Sequence, residues 1–124
     1  MSSIKSYKDL LIWQKGIEIV TDLYQLVENF PKEEQYALTS QLKRAAVLIP
    51  SNIAEGYGRN STQSYIHFVS ISRGSLFELE TQLLVAQKLK FIKNETLFSN
   101  IMNQITEETK MINSFINKLE SSKT

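Results

Sequence analysis

Gln41-Leu42-Lys43-Arg44-Ala45-Ala46-Val47-Leu48-Ile49-Pro50-Ser51-Asn52-Ile53-Ala54-Glu55-Gly56 sets charged and amide side chains into an otherwise apolar helical pattern. Projected on a helix, Leu38, Leu42, Ala45, Ile49 and Ile53 form a core-like stripe, while Gln41, Arg44, Leu48, Ser51 and Glu55 fall on a second one. A helix that carries both stripes has two different neighbours to satisfy. Pro50 removes one backbone hydrogen bond and crowds the preceding turn, so a kinked helix running to about Glu55 is expected, with Gly56 or Gly58 closing it. The local sequence is also compatible with a stop at Ile49.

Working outward, glycine and proline are scarce, and breaks near 29–32 with Pro31, near 57–61 with Gly58 and near the polar residues of 92–94 divide the chain into four long segments. None alternates as a strand would. In the first, Leu10, Trp13, Ile17, Val20, Tyr24 and Val27 form one seam, and Ile12, Gly16, Ile19, Leu23, Leu26 and Phe30 form another about 100 degrees round the axis. The third carries Tyr65, Phe68, Leu76, Leu79, Leu83 and Ala86 on one face, with Ser72 and Ser75 as small members. Its second face holds Ile66, Val69, Phe77, Leu84 and Phe91. The fourth repeats a heptad spacing through Phe98, Ile101, Ile105, Ile112, Phe115 and Leu119, with Glu108 as the polar exception.

These segments predict a single all-α domain over 1–124, an antiparallel up-down-up-down four-helix bundle with helices at about 8–29, 33–56, 61–91 and 95–120. Glu33 and Glu34 would open the second helix, Asn60 with Gln63 would cap the third, Asn94 would cap the fourth, and residues 121–124 would fray. Doubled seams on the first and third helices exceed what one small bundle needs. The plainer reading is that each bundle helix touches two neighbours; self-association through the surplus faces is the expectation.

A 124-residue chain with 42% hydrophobic and 22% charged residues has the composition of an ordinary globular domain. With no cysteine there are no disulfides, thiolate metal sites or cysteine nucleophiles, which suits a reducing compartment. The first eight residues lack the apolar core of a signal peptide, and no apolar run approaches the roughly 20 residues of a membrane span, so a cytoplasmic protein without a membrane partner is expected. A net charge of +1 argues against a protein whose whole surface grips phosphate, although a local basic patch survives that average.

Catalytic chemistry finds little support. The one histidine, His67, projects to a polar face, and Ser64 stands three residues before it where a di-iron bundle would place glutamate. Gly56-Tyr57-Gly58-Arg59 lacks the lysine and preceding strand of a phosphate loop. Glu78 and Glu80, two apart on a helix, face different ways and make no paired-carboxylate site. We therefore expect no enzyme, no cofactor and no metal.

Two groups of side chains stand out as binding candidates. Buried charges must pair, so Arg44 and Glu55 on the second helix, Arg73 and Glu80 on the third, and Gln41, Asn52 and Glu78 beside them form a candidate polar network inside the bundle or across a subunit boundary; a solvated face is the plainer reading. Lys88, Lys90 and Lys93 around Phe91 make the best basic cluster, with Lys43 and Arg59, and Lys5 and Lys8 beside Tyr7, as further candidates for nucleic-acid contact. Cations at a helix C-terminus also complement its dipole, which is the ordinary reason to find them there.

Across most of its length the chain resembles the four-helix bundle proteins encoded by intervening sequences in bacterial 23S ribosomal RNA genes. The matching positions include Leu10 to Gln14, Phe30-Pro31 with Glu34, Tyr36 and Leu38, Gln41-Leu42 with Arg44-Ala45-Ala46, Ile49 to Gly56, and Gly74-Ser75 followed by Glu78 to Leu83. The resemblance implies a homopentameric ring without known catalysis. A related branch, the accessory variability proteins of diversity-generating retroelements, is similar in fold and implies binding of nucleic acid and a reverse transcriptase through a basic surface. Leu48 departs from the serine usual in the family, and the near-neutral charge departs from the retroelement type. The functional expectation is a self-assembling bundle, possible partners being copies of itself and RNA or a nucleic-acid-bound protein; the alternative is a protein-protein adaptor.

Overall fold

The computed structural model describes residues 3–122 and contains four α-helices and no strand among them: α1 (Leu11–Val27), α2 (Leu38–Tyr57), α3 (Thr62–Lys88) and α4 (Glu95–Ser121). Lys123 and Thr124, part of the expected fraying end, lie outside the described residues. Each helix packs on two others, α1 on α2 and α4, and α3 on α2 and α4, so the four form a closed cycle around one core.

Two helices start later than their acid and apolar patterns predict. Tyr7–Asp9 is a separate 3-10 turn closed by a capping box between Ser6 and Asp9, and Leu10 is extended (φ −75°, ψ 128°), so α1 begins at Leu11. Lys32–Glu34 is likewise a 3-10 turn, and Ala37 (φ −121°, ψ −108°) breaks the helical path before α2. Glu34 still serves the helix start, its carboxylate accepting a 3.3 Å bond from the Leu38 N–H. At α3 the cap is Ser61, which accepts from the Ser64 N–H at 3.1 Å, in place of the expected Asn60. Asn94 caps α4 through the Leu97 N–H at 3.0 Å.

α2 runs through Pro50 without interruption. The proline ring is buried against α1 at Gly16, where an added Cβ would lie 3.3 Å from the Pro50 Cβ. A glycine there lets the two backbones approach. On the other side of α2, the buried Ser72 hydroxyl of α3 donates a 2.8 Å bond to the Ile49 carbonyl. α2 ends with Gly58 as C-cap at φ −80°, so no left-handed turn is needed there.

α3 ends three residues earlier than its apolar pattern predicts. The Phe91 N–H bonds the Ala86 carbonyl and the Lys90 N–H bonds the Gln87 carbonyl, the two bonds of a Schellman motif. Its left-handed position is held by Lys90 (φ 65°) where glycine is usual. Phe91 then folds back onto Phe30, with ring centroids 5.9 Å apart.

The core takes Ile12, Ile19, Leu23 and Leu26 from α1, Leu42, Ala45, Ile49 and Ile53 from α2, Leu76, Leu79, Leu83 and Ala86 from α3, and Ile101, Ile105, Ile112 and Ile116 from α4. The inward seam of α1 is therefore the one through Ile12 and Ile19. On α4 the buried seam closes on Ile116, with Phe115 and Leu119 only half-buried. No helix among the described residues is long and apolar enough to cross a membrane.

Candidate interaction surface

What the core leaves over defines the outer surface. The second seam of α1 is only partly covered: Trp13 and Val20 are half-buried, Ile17 is 37% exposed and Tyr24 41%. With Tyr7 and with Val47, Pro50, Ser51 and Ala54 of α2, the seam from Trp13 to Val20 lines an open groove of about 310 Å³. Tyr24, beyond the groove, lies under the Lys43 ammonium, 4.7 Å from its ring centroid.

The groove ends in a chain of aromatic rings. Trp13 meets Tyr7 edge-on at 5.4 Å, Tyr7 meets Tyr57 at 6.4 Å, Tyr57 meets Tyr65 at 6.3 Å, and Tyr65 meets Phe115 at 5.5 Å. These contacts tie the start of α1 and α3 to the end of α2 and α4. Burial, with a smaller contribution from Tyr57, pushes the Tyr65 hydroxyl up to about 12, so it stays protonated.

A second apolar surface lies on α3. Phe77 is 49% exposed and Leu84 43%, and Val85 and Leu89 are exposed beyond them. Thr81, Leu84, Val85, Lys88 and Leu89 line a shallow depression of about 360 Å³. Arg73, one turn before Phe77, is half-buried and donates a 2.8 Å bond to the Asn113 side chain of α4.

The polar stripe does not become an internal network. Glu55 pairs instead with Arg59 one turn on, at 2.6 Å, and the Arg59 guanidinium also sits 4.5 Å from the Phe68 ring centroid. Neither Arg44 nor Glu80 forms an ion pair with a described residue; Arg44 is exposed and Glu80 half-buried. Asn52 turns back on its own helix and donates to the Leu48 carbonyl at 2.9 Å. The physical reason is direction: this stripe lies on the outside of α2, where water solvates charge without a partner.

Gln41 and Glu78 are brought together, through a residue the sequence reading passed over. The buried Gln82 amide donates weakly to both, at 3.4 Å each, which links α2 to α3. Its signal was an amide one turn past Leu79 on the inward face. Also passed over were two links between α1 and α4, the Lys15–Glu107 ion pair and the 2.8 Å bond from Gln104 to Asp22. The Glu107 hydrogen bond raises the Lys15 pKa, with burial opposing.

Of the basic candidates, Lys88, Lys90 and Lys93 are exposed and form no ion pair with a described residue, whereas the charge of Arg59 is matched by Glu55. His67 is exposed. No group of three or more metal-ligating side chains occurs among the described residues.

This geometry, apolar grooves and a small basic cluster on a closed cycle of helices, accompanies a match of residues 8–114 to the model of the 23S rRNA-intervening sequence protein family. The chain belongs to that family. A solved structure from Bacteroides thetaiotaomicron, described as a protein with unknown function from the S23 ribosomal protein family, is similar to this intervening-sequence family member with a TM-score of 0.78 and 23% identity. The likeness covers 86% of this chain and 96% of that one, and it establishes the fold. No curated protein matches the chain.

Proposed function

We propose that this protein is a non-catalytic helical bundle that assembles with copies of itself into a closed ring, a pentamer on the family pattern, and that the ring carries a small basic surface for RNA or a ribonucleoprotein. Within each subunit the helices run up-down-up-down. The short connections at 58–61 and 89–94 support that topology, as do the pairs Lys15–Glu107 and Asp22–Gln104, in which numbers rise on α1 as they fall on α4.

The observation that carries the proposal is the presence of two unlike apolar surfaces, the α1–α2 groove and the α3 ridge at Phe77 and Leu84. Two different patches that meet head to tail make a heterologous contact, which closes into a ring when the rotation allows. Arg44, Glu55, Arg73 and Glu80 then serve as polar groups at or near such a boundary. Sedimentation over a concentration series tests it: an assembly several times the 14.3 kDa chain is expected, and Phe77→Lys should shift the distribution towards monomer. A lone 14.3 kDa species at high micromolar concentration would reject it.

Lys88, Lys90 and Lys93 favour the nucleic-acid part of the reading, since their charges are free to meet phosphate. Titration of labelled RNA at several salt concentrations is expected to show affinity falling steeply with salt, and the triple exchange of these lysines for glutamine should flatten that slope. Absence of binding at low salt favours the alternative, a protein-protein adaptor. A cytoplasmic location is part of the same proposal.

A further inference from the structure

Glu108 occupies a place on α4 that every chemical consideration reserves for an apolar group. The buried positions of its seam are otherwise Phe98, Ile101, Ile105, Ile112 and Ile116, and Glu108 is 0% exposed among them. Neither carboxyl oxygen has a hydrogen-bond partner among the described residues. A charge in that position lacks both water and a donor, which an ionised carboxylate cannot tolerate at small cost.

The charged groups around it do little to relieve this. On α1, Lys15 attracts it, but that ammonium is already engaged by Glu107 at the surface. On its own helix Glu107 repels it. On α3 the charged groups are Arg73, whose guanidinium is bonded to Asn113 of α4, and the half-buried Glu80. Among the described residues no α2 backbone comes within 8 Å of α4, Cα to Cα. Desolvation dominates, and the acid is pushed up to about 8.

α4 is also the helix whose backbone packs least densely on its neighbours. Its two seams, with α1 and α3, are the sparsest of the four in the cycle. We propose that Glu108 is a proton-operated latch: as the neutral acid it lets α4 close on α1 and α3, and its ionisation releases that helix, uncovering the apolar faces of α1 and α3.

The direction follows from linkage. A carboxyl raised in the closed form binds a proton there that the open form has lost, so closure is favoured most below the ordinary value of 4.5. It weakens as pH rises towards about 8 and levels off above. Across that interval the opening constant rises by up to about tenfold per pH unit.

Amide hydrogen exchange of the full-length chain, followed by mass spectrometry between pH 5 and 9.5 as the experimental range and normalised for intrinsic exchange at each pH, tests this directly. Peptides from α4 are expected to lose protection with rising pH while α2 peptides hold theirs, and Glu108→Gln should abolish the difference. Should the glutamine variant fail to fold, Glu108→Leu continues the isoleucine seam and is expected to be equally insensitive to pH. Wild-type α4 protection that tracks α2 across the range overturns the latch whatever the variants do, as does a pH response that persists in either variant.

Discussion

At single positions, the glycines separate packing from propensity. Gly74 lies mid-helix on an exposed face with nothing within 4 Å of an added Cβ, so Gly74→Ala should stabilise the protein by about 0.5–1 kcal/mol through helix propensity alone. Gly56 is the opposite case. A Cβ there would meet the Phe68 Cβ at 3.1 Å and the Tyr65 carbonyl at 3.2 Å, and backbone does not yield. Gly56→Ala should lose about 1–3 kcal/mol by overpacking, read as a lower urea midpoint at unchanged slope. Both glycines belong to stretches that carry the family resemblance, yet their reasons differ, and only spatial neighbours distinguish them.

Helix ends and seams show the same division between local and distant causes. The Schellman turn after α3 forces Lys90 to φ 65°, which disfavours any side chain with a Cβ. Lys90→Gly should therefore raise stability by ~1 kcal/mol while removing one charge from the basic cluster, so thermal midpoint and RNA affinity would move in opposite directions. At the α2–α3 seam, Ser72→Ala deletes the buried bond to the Ile49 carbonyl and should cost about 1 kcal/mol in urea unfolding. Asn94 was recognisable as a cap because its position needs only the following turn. The start of α2 was not, because Glu33 and Glu34 suit a 3-10 turn as well as a helix and the Ala37 break has no side-chain signature.

For the molecule as a whole, the question is where the surplus apolar surface goes. Four helices bury one seam each, and α1 and α3 have two. In the proposed assembly these exposed apolar faces are the contact sites between subunits. Exchanging Ile17 for glutamate should weaken self-association without lowering the stability of the subunit by more than about 0.5 kcal/mol, since surface exchanges rarely do more. Analytical ultracentrifugation read beside urea unfolding separates the two effects. Equal loss in both would place Ile17 in the core, contrary to its exposure.

By itself the amino-acid order determined the class of fold, the division into four helices, the cap at Asn94 and the family, because helical periodicity, helix-breaking residues and motif spacing are local properties. Tertiary structure decided which α1 seam faces inward, that the Arg44–Glu55 stripe lies on the outer side of the subunit, that Gln82 joins Gln41 to Glu78, and that Glu108 is buried with no hydrogen-bond partner among the described residues. Two apolar seams look alike in one helix; burial depends on the rotation each neighbour imposes, and that is a property of the whole packed chain.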